Sequence, residues 1–323
     1  MDSARVSFLA NAGWANATPS PVAGDLSTRQ YTRLSQSNAT AILMTCDPAT
    51  DTSLPAFLKM TRWLQDQSLS APDILAVDTE SGFALLEDFG TDKLTTLISK
   101  DPASQRRYYE VILDTLIAIR NAPAPKLPEP TVQDLCDATT LADEWYPNAK
   151  PAHLDAFRAG LEPVLAQLLQ GPRTVSLRDF HADNIMWLAD RHPLRQPGLL
   201  DYQDAFLISP AYDLMSLLTD ARTDVAPQLQ HDLISAYARR TGDDPADLGA
   251  AFAALGVQRN LRILGIFARA ARREGKAHHV PALPRVYRYL NDCCRHATLA
   301  HLADDLAAGL PAPSPERLEG LTT

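Results

Sequence analysis

The most informative pattern in this chain lies in residues 176–187, Ser176-Leu177-Arg178-Asp179-Phe180-His181-Ala182-Asp183-Asn184-Ile185-Met186-Trp187. Asp179 follows an arginine and precedes Asn184 by five residues, and the apolar run that begins at Ile185 predicts a short strand. The spacing alone is weak, because Asp and Asn are also favoured in polar turns between strands, where their side chains hydrogen-bond locally.

A second acid at the end of an apolar run favours a functional loop over a plain turn. This acid lies in Leu199-Leu200-Asp201-Tyr202-Gln203-Asp204-Ala205. Phosphoryl transfer requires an acid that orients the attacking hydroxyl, and oxygen ligands that hold Mg²⁺ against the phosphates. Asp179 is therefore the candidate catalytic base, and Asn184 and Asp201 are the candidate Mg²⁺ ligands.

Composition restricts the class of protein. The chain has 323 residues, of which 46% are hydrophobic and 21% are charged, as in globular proteins long enough for two lobes. The formal net charge of −9 gives no electrostatic support for a nucleic-acid partner. No segment approaches the ~18 consecutive apolar residues of a membrane helix, so we expect no membrane partner.

The cysteines and the N-terminus indicate the cellular setting. The first residues, with Asp2 and Arg5, lack the apolar run of a signal peptide. The four cysteines form no Cys-x-x-Cys pair, and the adjacent Cys293 and Cys294 suit neither an ordinary disulfide framework nor a zinc site. A reducing cytoplasm is the simplest setting. Nothing in the sequence indicates an oligomeric state.

The first 90 residues alternate between strand and helix patterns and predict a small α+β lobe. The expected elements are a helix at 3–14, strands at 17–23, 29–34 and 40–45, an amphipathic helix at 53–69, and strands at 73–78 and 82–87. The turn Gly24-Asp25-Leu26-Ser27-Thr28 between two of these strands is either a phosphate-covering hairpin, whose backbone N–H groups bind anions, or an ordinary β-turn.

From Lys93 the chain becomes mostly helical. The proline-rich segment 121–130 excludes helix and stiffens a connection. Helices are expected at 108–120, 131–145 and 153–170, followed by a hairpin from about 173 to 201, by further helices to about 308, and by a loose tail near Pro311, Pro313 and Pro315.

These residues together resemble the aminoglycoside phosphotransferase/choline kinase family, which has the protein-kinase fold. The resemblance rests on the β-rich lobe, on Glu87-Asp88-Phe89-Gly90 after it, and on the two motifs around Asp179 and Asp201. One branch is more similar still, the bacterial N-acetylmuramate/N-acetylglucosamine anomeric kinases. Its likeness is carried by residues 24–34, 201–205 and 258–269.

The resemblance implies a two-lobed α+β fold, with a small antiparallel β-rich nucleotide-binding lobe at 1–90 and a larger helical lobe at 91–323. ATP and Mg²⁺ are the implied cofactors, with adenine near Glu87 and Phe89. The implied phosphate and substrate contacts extend the site. They are Gly24, Asp25, Ser27 and Arg33 for the nucleotide, and His181, Asp204 and Arg259 for the substrate or its surroundings.

Three departures from the family pattern are visible. Leu177 replaces the first histidine of the catalytic loop, so His181 is expected to brace the loop. Tyr202-Gln203 replaces the usual residues after the metal-binding acid. The lysine of the third strand, which pairs the nucleotide phosphates, has no counterpart in Thr40 to Thr45, and its partner Glu is missing from helix 53–69. The candidates to replace that lysine are Arg29, Arg33 and Lys59.

The last helices bear on the acceptor. Residues 245–300 contain nine arginines and lysines against three acids, Asp247, Glu274 and Asp292. Most of these basic residues belong to solvated helix faces. The excess nevertheless favours a neutral or carboxylated sugar over a polycationic aminoglycoside, because charges on binding partners are complementary. Asp213 is either a helix N-cap or, as the resemblance implies, a buried acid that braces the catalytic loop through Arg178.

The sequence therefore predicts an ATP-dependent kinase that phosphorylates a small-molecule hydroxyl. The first choice of acceptor is the anomeric hydroxyl of N-acetylmuramate or N-acetylglucosamine, in the recycling of cell-wall sugars. One alternative is a kinase for aminoglycosides or for small alcohols such as choline or homoserine. The other is a non-catalytic, pseudokinase-type binding module, which the missing lysine and glutamate favour and the intact Asp179, Asn184 and Asp201 disfavour.

Overall fold

The structure is a computed structural model that describes residues 3–22 and 29–322. Gly24, Asp25 and Ser27, predicted to cover the phosphates, lie outside the described residues. Contacts within the chain divide it into two units: Met1–Leu97 with Asn184–Asp204, and Ile98–Asp183 with Ala205–Thr323. This division adds a returning segment, Asn184–Asp204, to the first unit. The functional boundary between residues 90 and 91 stays a prediction.

The strands and helices, numbered along the chain, are as follows. The strands are β1 Thr18–Val22, β2 Gln30–Gln36, β3 Ala39–Thr45, β4 Ile74–Asp78, β5 Phe83–Glu87, β6 Thr174–Ser176, β7 Ile185–Trp187, β8 Pro197–Leu199 and β9 Phe206–Ile208. The helices are α1 Ser3–Asn11, α2 Leu54–Asp66, α3 Leu94–Lys100, α4 Gln105–Asn121, α5 Val132–Asp137, α6 Leu141–Trp145, α7 Pro151–Leu168, α8 Ala211–Leu218, α9 Pro227–Thr241, α10 Pro245–Glu274, α11 Leu283–Cys294, α12 Ala303–Gly309 and α13 Pro315–Glu319.

The first unit is built on an antiparallel five-stranded sheet in the order β1-β2-β3-β5-β4. Successive side chains of a strand point to opposite faces of the sheet, so every second residue lies on the same face. On that face Leu34, Leu43 and Leu85 pack with Phe8 of α1, whose ring centre lies 5.5 Å from that of Phe83. The sheet and its internal helix therefore confirm the α+β pattern expected for the first 90 residues.

Helix α2 buries the apolar stripe predicted from the sequence. The same helix contacts the returning segment, Asn184–Asp204, through Phe57 and Thr61. Phe57, Met60 and Leu64 are buried. The Phe57 ring stacks on Tyr202 at 5.3 Å, and the Thr61 hydroxyl lies 2.7 Å from the Tyr202 hydroxyl. The residue that follows Asp201 is thus fixed against α2.

The second unit is mainly helical and centres on α10, a helix of 30 residues. Its small residues allow close approach of neighbouring elements. A Cβ atom at Gly265 would lie 2.4 Å from the backbone carbon of Leu141 in α6, so only glycine fits there. Within residues 3–22 and 29–322, no helix is long and apolar enough to cross a bilayer.

Three predicted elements differ from the structure. The single hairpin expected from 173 to 201 is wrong, because β6 pairs with β9 and β7 pairs with β8. The helix expected over 131–145 is two helices, α5 and α6, separated by a turn at 138–140. The loose tail contains α13, which begins where the Ser314 side chain accepts a hydrogen bond from the backbone N–H of Arg317.

Candidate active site

The loop that carries Asp179 belongs to the second unit and is fixed by a buried carboxylate. The Ser176 hydroxyl donates to Asp213 Oδ1 at 2.6 Å, and the backbone N–H of Leu177 donates to Asp213 Oδ2 at 2.7 Å. Arg178 has a left-handed φ of +70°, which is uncommon for a long side chain. Such a conformation persists when the surrounding contacts over-determine it, and it is frequent next to functional residues.

Asp213 lies in the first turn of α8, two residues after its start, so it is not an N-cap. Of the two interpretations from the sequence, the buried bracing acid is confirmed. The route through the Arg178 side chain is wrong, because Asp213 accepts from Ser176 and from backbone N–H groups, and the Arg178 guanidinium lies 5.9 Å from the ring centre of Phe206. Burial raises the pKa of the Asp213 carboxyl from 3.8 to about 6.

A second buried acid supports the loop from the other side. The backbone N–H of Ala182 donates to Asp220 Oδ2 at 3.2 Å, and that of Arg222 donates to Asp220 Oδ1 at 2.8 Å. Burial raises the pKa of Asp220. Asp220 was not among the candidate residues predicted from the sequence. The signal was present, since Asp220 is an acid that lies two residues after the apolar helix α8.

His181, expected to brace the loop, is buried in the same region at 5% exposure. Its backbone N–H donates to the Asp179 carbonyl at 3.1 Å, which tightens the turn after the candidate base. The loop therefore holds Asp179 between two segments whose backbone groups are bonded to Asp213 and Asp220. Support of this kind suits a residue that must be held in one geometry.

Two arginines of α10 flank the carboxylate of Asp179. Arg259 Nη2 lies 3.5 Å from Asp179 Oδ1, and Arg262 Nη2 lies 3.9 Å from the same oxygen. Arg259 was predicted to contact the substrate or its surroundings, and the structure places it beside the candidate base. Arg262 was missed as a site residue, although its position one helical turn later puts it on the same face of α10.

The two candidate Mg²⁺ ligands are brought together within the first unit. Strands β7 and β8 pair with Ile185 opposite Leu199, so the residue before β7 and the residues after β8 are neighbours. The backbone N–H of Leu200 donates to the Asn184 carbonyl at 3.0 Å, and Asn184 Nδ2 lies 3.5 Å from Asp201 Oδ2. Asp201 has a left-handed φ of +58°.

This pair fits a hard cation that completes its coordination from elsewhere. Mg²⁺ is commonly bound by one or two protein side chains with water and substrate phosphates. Asn184 and Asp201 offer an amide and a carboxylate at adjacent positions. In the part of the chain that the structure describes, no cluster of three or more His, Cys, Asp or Glu side chains is arranged for a metal. Water and nucleotide phosphates would supply the remaining ligands of such a cation.

Of the three candidates to replace the absent lysine, Arg29 lies beside Asp201. Its Nη2 donates to Asp201 Oδ1 at 3.0 Å, and its Nη1 donates to Gln203 Oε1 at 2.6 Å. Gln203 in turn donates to Asp201 Oδ1 at 3.1 Å and to Asp204 Oδ2 at 2.9 Å. Arg29 is buried, at 8% exposure, whereas Asp204 is exposed.

The other two candidates lie elsewhere in the first unit. Arg33 donates to Asp88 Oδ1 at 2.8 Å and to the Gly90 carbonyl at 2.6 Å, which fixes the end of β5. Lys59 is exposed on α2. The nucleotide contact predicted for Arg33 stays a prediction.

The predicted adenine segment is held by side-chain contacts of its own. Arg191 forms an ion pair with Glu87 and lies 5.2 Å from the ring centre of Phe89. Gly198 of β8 packs directly on that ring, since a Cβ atom there would lie 2.8 Å from Phe89 Cδ2. The Glu87 carboxylate is therefore already paired with Arg191. The predicted adenine contacts would have to use the backbone of Glu87 and the ring of Phe89, and they stay predictions.

Comparisons with known proteins bear on what this arrangement does. Residues 18–251 match the model described as "Phosphotransferase enzyme family". An N-acetylmuramate/N-acetylglucosamine kinase from Caulobacter vibrioides is 33% identical over 93% of this chain and 94% of its own length. A kinase of the same name from Pseudomonas aeruginosa is 29% identical over 96% of this chain and 95% of its own length.

Solved structures confirm the predicted fold. Choline kinase LicA from Streptococcus pneumoniae superposes with a TM-score of 0.62 at 14% identity, over 90% of this chain and 100% of that one. The same protein in complex with AMP gives a TM-score of 0.61 at 12% identity, over 90% and 98%. At these identities the likeness concerns the fold alone, and it agrees with the expected kinase-like combination of a small antiparallel sheet and a helical region.

The raised pKa of Asp213 yields a test of how the loop is supported. Because the pKa of Asp213 is higher in the folded than in the unfolded protein, protonation of this carboxyl stabilises the fold. The stabilisation is complete below pH 3.8 and is lost as pH rises through about 6. The Asp213→Asn variant lacks this contribution. We expect wild type to exceed the variant in free energy of unfolding by more at pH 4 than at pH 7, with a difference of about 1 to 3 kcal/mol.

Urea unfolding at several pH values measures this difference, because the other acids are common to both proteins and cancel. An advantage of wild type that stays constant from pH 4 to pH 7 would show that Asp213 is not desolvated as described.

Proposed function

This chain belongs to the phosphotransferase enzyme family, and we propose that it is an ATP- and Mg²⁺-dependent kinase that phosphorylates an N-acetylated amino sugar. The observation that carries the proposal is the match to kinases named for N-acetylmuramate and N-acetylglucosamine, which extends over 93% of this chain at 33% identity. A match over nearly the full length includes both the catalytic loop and the late helices that bear on the acceptor. We further propose a cytoplasmic location.

In this proposal Asp179 is the catalytic base. It accepts a hydrogen bond from the acceptor hydroxyl and takes the proton as the phosphoryl group is transferred. The bonds from Ser176, Leu177 and Ala182 to the buried acids fix the loop around it, so little reorganisation is needed when the acceptor binds.

Asn184 and Asp201 would hold Mg²⁺, which neutralises charge on the nucleotide phosphates during transfer. Arg29 would supply the cation that the third strand lacks. It is buried beside Asp201 and, as a guanidinium, can bind phosphate oxygens through two parallel hydrogen bonds. The same guanidinium forms an ion pair with Asp201 and so balances the charge of that carboxylate.

The proposed acceptor atom is the anomeric hydroxyl. This hydroxyl is more acidic than an ordinary alcohol, so a carboxylate base that takes the proton late in a loose transition state is sufficient. A pocket that presents one face of C1 to the γ-phosphate gives a sugar 1-phosphate of a single configuration.

The charge around Asp179 favours this acceptor over the alternatives from the sequence. A polycationic aminoglycoside or the quaternary ammonium of choline would be repelled by Arg259 and Arg262. A non-catalytic binding module would have no need of a braced Asp179. The missing lysine favoured such a module, but Arg29 lies beside Asp201 and can take the place of that lysine.

The experiment is a coupled assay of ADP release over N-acetylmuramate, N-acetylglucosamine, an aminoglycoside, choline and homoserine. We expect turnover with the two amino sugars only.

The Asp179→Asn variant tests the candidate base. The shape of the side chain is kept and the proton acceptor is lost, so turnover should fall by about 10²-fold or more while ATP binding persists. Activity confined to the aminoglycoside or choline, or a folded Asp179→Asn protein that turns over at the wild-type rate, would contradict the proposal.

A second prediction concerns Arg29 and the metal. We expect Arg29→Met to weaken ATP binding about tenfold or more, as loss of a charge-assisted pair to phosphate implies, and Asp201→Ala to raise the Mg²⁺ concentration needed for ATP binding. Arg62→Met is the matched control, since Arg62 is an exposed arginine of α2 in the same unit. Calorimetric titration with ATP, with and without Mg²⁺, measures both effects without relying on turnover. Wild-type ATP affinity in Arg29→Met would remove Arg29 from this role.

A further inference from the structure

The arginines next to Asp179 are incompletely paired. Both Nη2 atoms point to one oxygen, Asp179 Oδ1, at 3.5 Å for Arg259 and 3.9 Å for Arg262. Charge-assisted N–H···O bonds are normally about 2.7–2.9 Å long. One carboxylate is therefore shared by two guanidinium groups, and neither makes a close bond to it.

Burial makes this pairing unusual. The side chains of Arg259 and Arg262 are only 3% and 12% exposed. Their Nε atoms are buried without a hydrogen-bond partner in residues 3–22 and 29–322. A buried cation with long contacts is unfavourable unless another group completes its bonding.

The two other acids near these arginines already accept hydrogen bonds from other donors. Asp220 faces Arg259, and both of its oxygens already accept backbone hydrogen bonds, from Ala182 and Arg222. Asp213 also faces Arg259 but is bonded to Ser176 and Leu177. The two arginines are thus available to an additional anion.

The anion has two possible sources, a group on the acceptor or the transferred phosphate. Asp179 touches the acceptor hydroxyl in the proposed function, so groups beside its Oδ1 face the acceptor. The two sugars in the names of the relatives differ by a lactyl ether at C3, which adds one carboxylate to N-acetylmuramate. This carboxylate is close in the ring to C1 and matches the two-pronged geometry of a guanidinium.

We infer that Arg262, beside Asp179 and backed by the more deeply buried Arg259, forms an anion subsite that binds the carboxylate of a carboxylated N-acetylhexosamine and so sets the preference between the acidic and the neutral acceptor. This inference rests on the proposed function. Arg259 is a positioning residue here, because its side chain is the more deeply buried of the two.

The test compares kcat and KM for N-acetylmuramate and N-acetylglucosamine in four proteins: wild type, Arg262→Gln, Arg262→Lys and Arg269→Gln. Arg269 is the matched control, since it lies on the same helix, pairs with Glu274 and is about one-third exposed. We expect Arg262→Gln to raise KM for N-acetylmuramate at least tenfold, with KM for N-acetylglucosamine within threefold of wild type. Arg262→Lys keeps the positive charge but lacks the planar pair of guanidinium donors. Its KM for N-acetylmuramate should therefore lie between those of wild type and Arg262→Gln. Arg269→Gln should match wild type.

A substrate change gives the same test without a variant. The methyl ester of N-acetylmuramate removes the charge and keeps the lactyl ether, so wild type should bind it at least tenfold more weakly than the acid. This arm holds even if Arg262→Gln does not fold.

The contrary outcomes are distinct. Equal losses of kcat on both sugars in Arg262→Gln would assign Arg262 to the phosphoryl group or to Asp179 and overturn the inference. An unchanged ratio of the two KM values, or equal binding of acid and ester, would also overturn it. Wild-type protein without activity on either sugar would instead contradict the proposed function itself, and the inference with it.

Discussion

The arrangement around Asp179 depends on two buried carboxylates that are hydrogen-bonded to the loop that carries it. Asp213 and Asp220 accept hydrogen bonds from Ser176, Leu177 and Ala182, on either side of the loop. A buried carboxylate destabilises the fold unless its oxygens accept hydrogen bonds. The N–H groups of the loop therefore have to stay in the positions from which they donate to these oxygens. This mutual requirement fixes the backbone, including the left-handed Arg178, and it determines where the candidate base lies.

A different principle organises the residues that we propose bind Mg²⁺ and the nucleotide phosphates. The short β7–β8 pair brings Asn184 next to Asp201, and the Tyr202 ring anchors the following segment on α2 through Phe57 and Thr61. Arg29 balances the charge of Asp201 while it is also a suitable ligand for phosphate. The family usually combines a lysine and a glutamate for this purpose. Here a single arginine, the residue before β2, is in a position to replace the lysine.

Much of this was predictable because the signals were local. Alternating apolar residues predicted the five strands of the sheet, and the Asp-x-x-x-x-Asn spacing with a second strand-end acid predicted the candidate base and metal ligands. The pairing of β6 with β9 was not predictable, since three-residue strands carry little periodicity and their partners are separated by more than 25 residues of chain. Asp220 and Arg262 were missed for a related reason: their importance depends on neighbours that only the fold brings close.

In the proposed function, a braced carboxylate directs phosphoryl transfer to the anomeric hydroxyl of an amino sugar. Phosphorus NMR of the product from N-acetylglucosamine or N-acetylmuramate and ATP tests it most directly. We expect one sugar 1-phosphate signal of a single anomeric configuration. A 6-phosphate, or a mixture of both anomers formed at the enzyme, would contradict it.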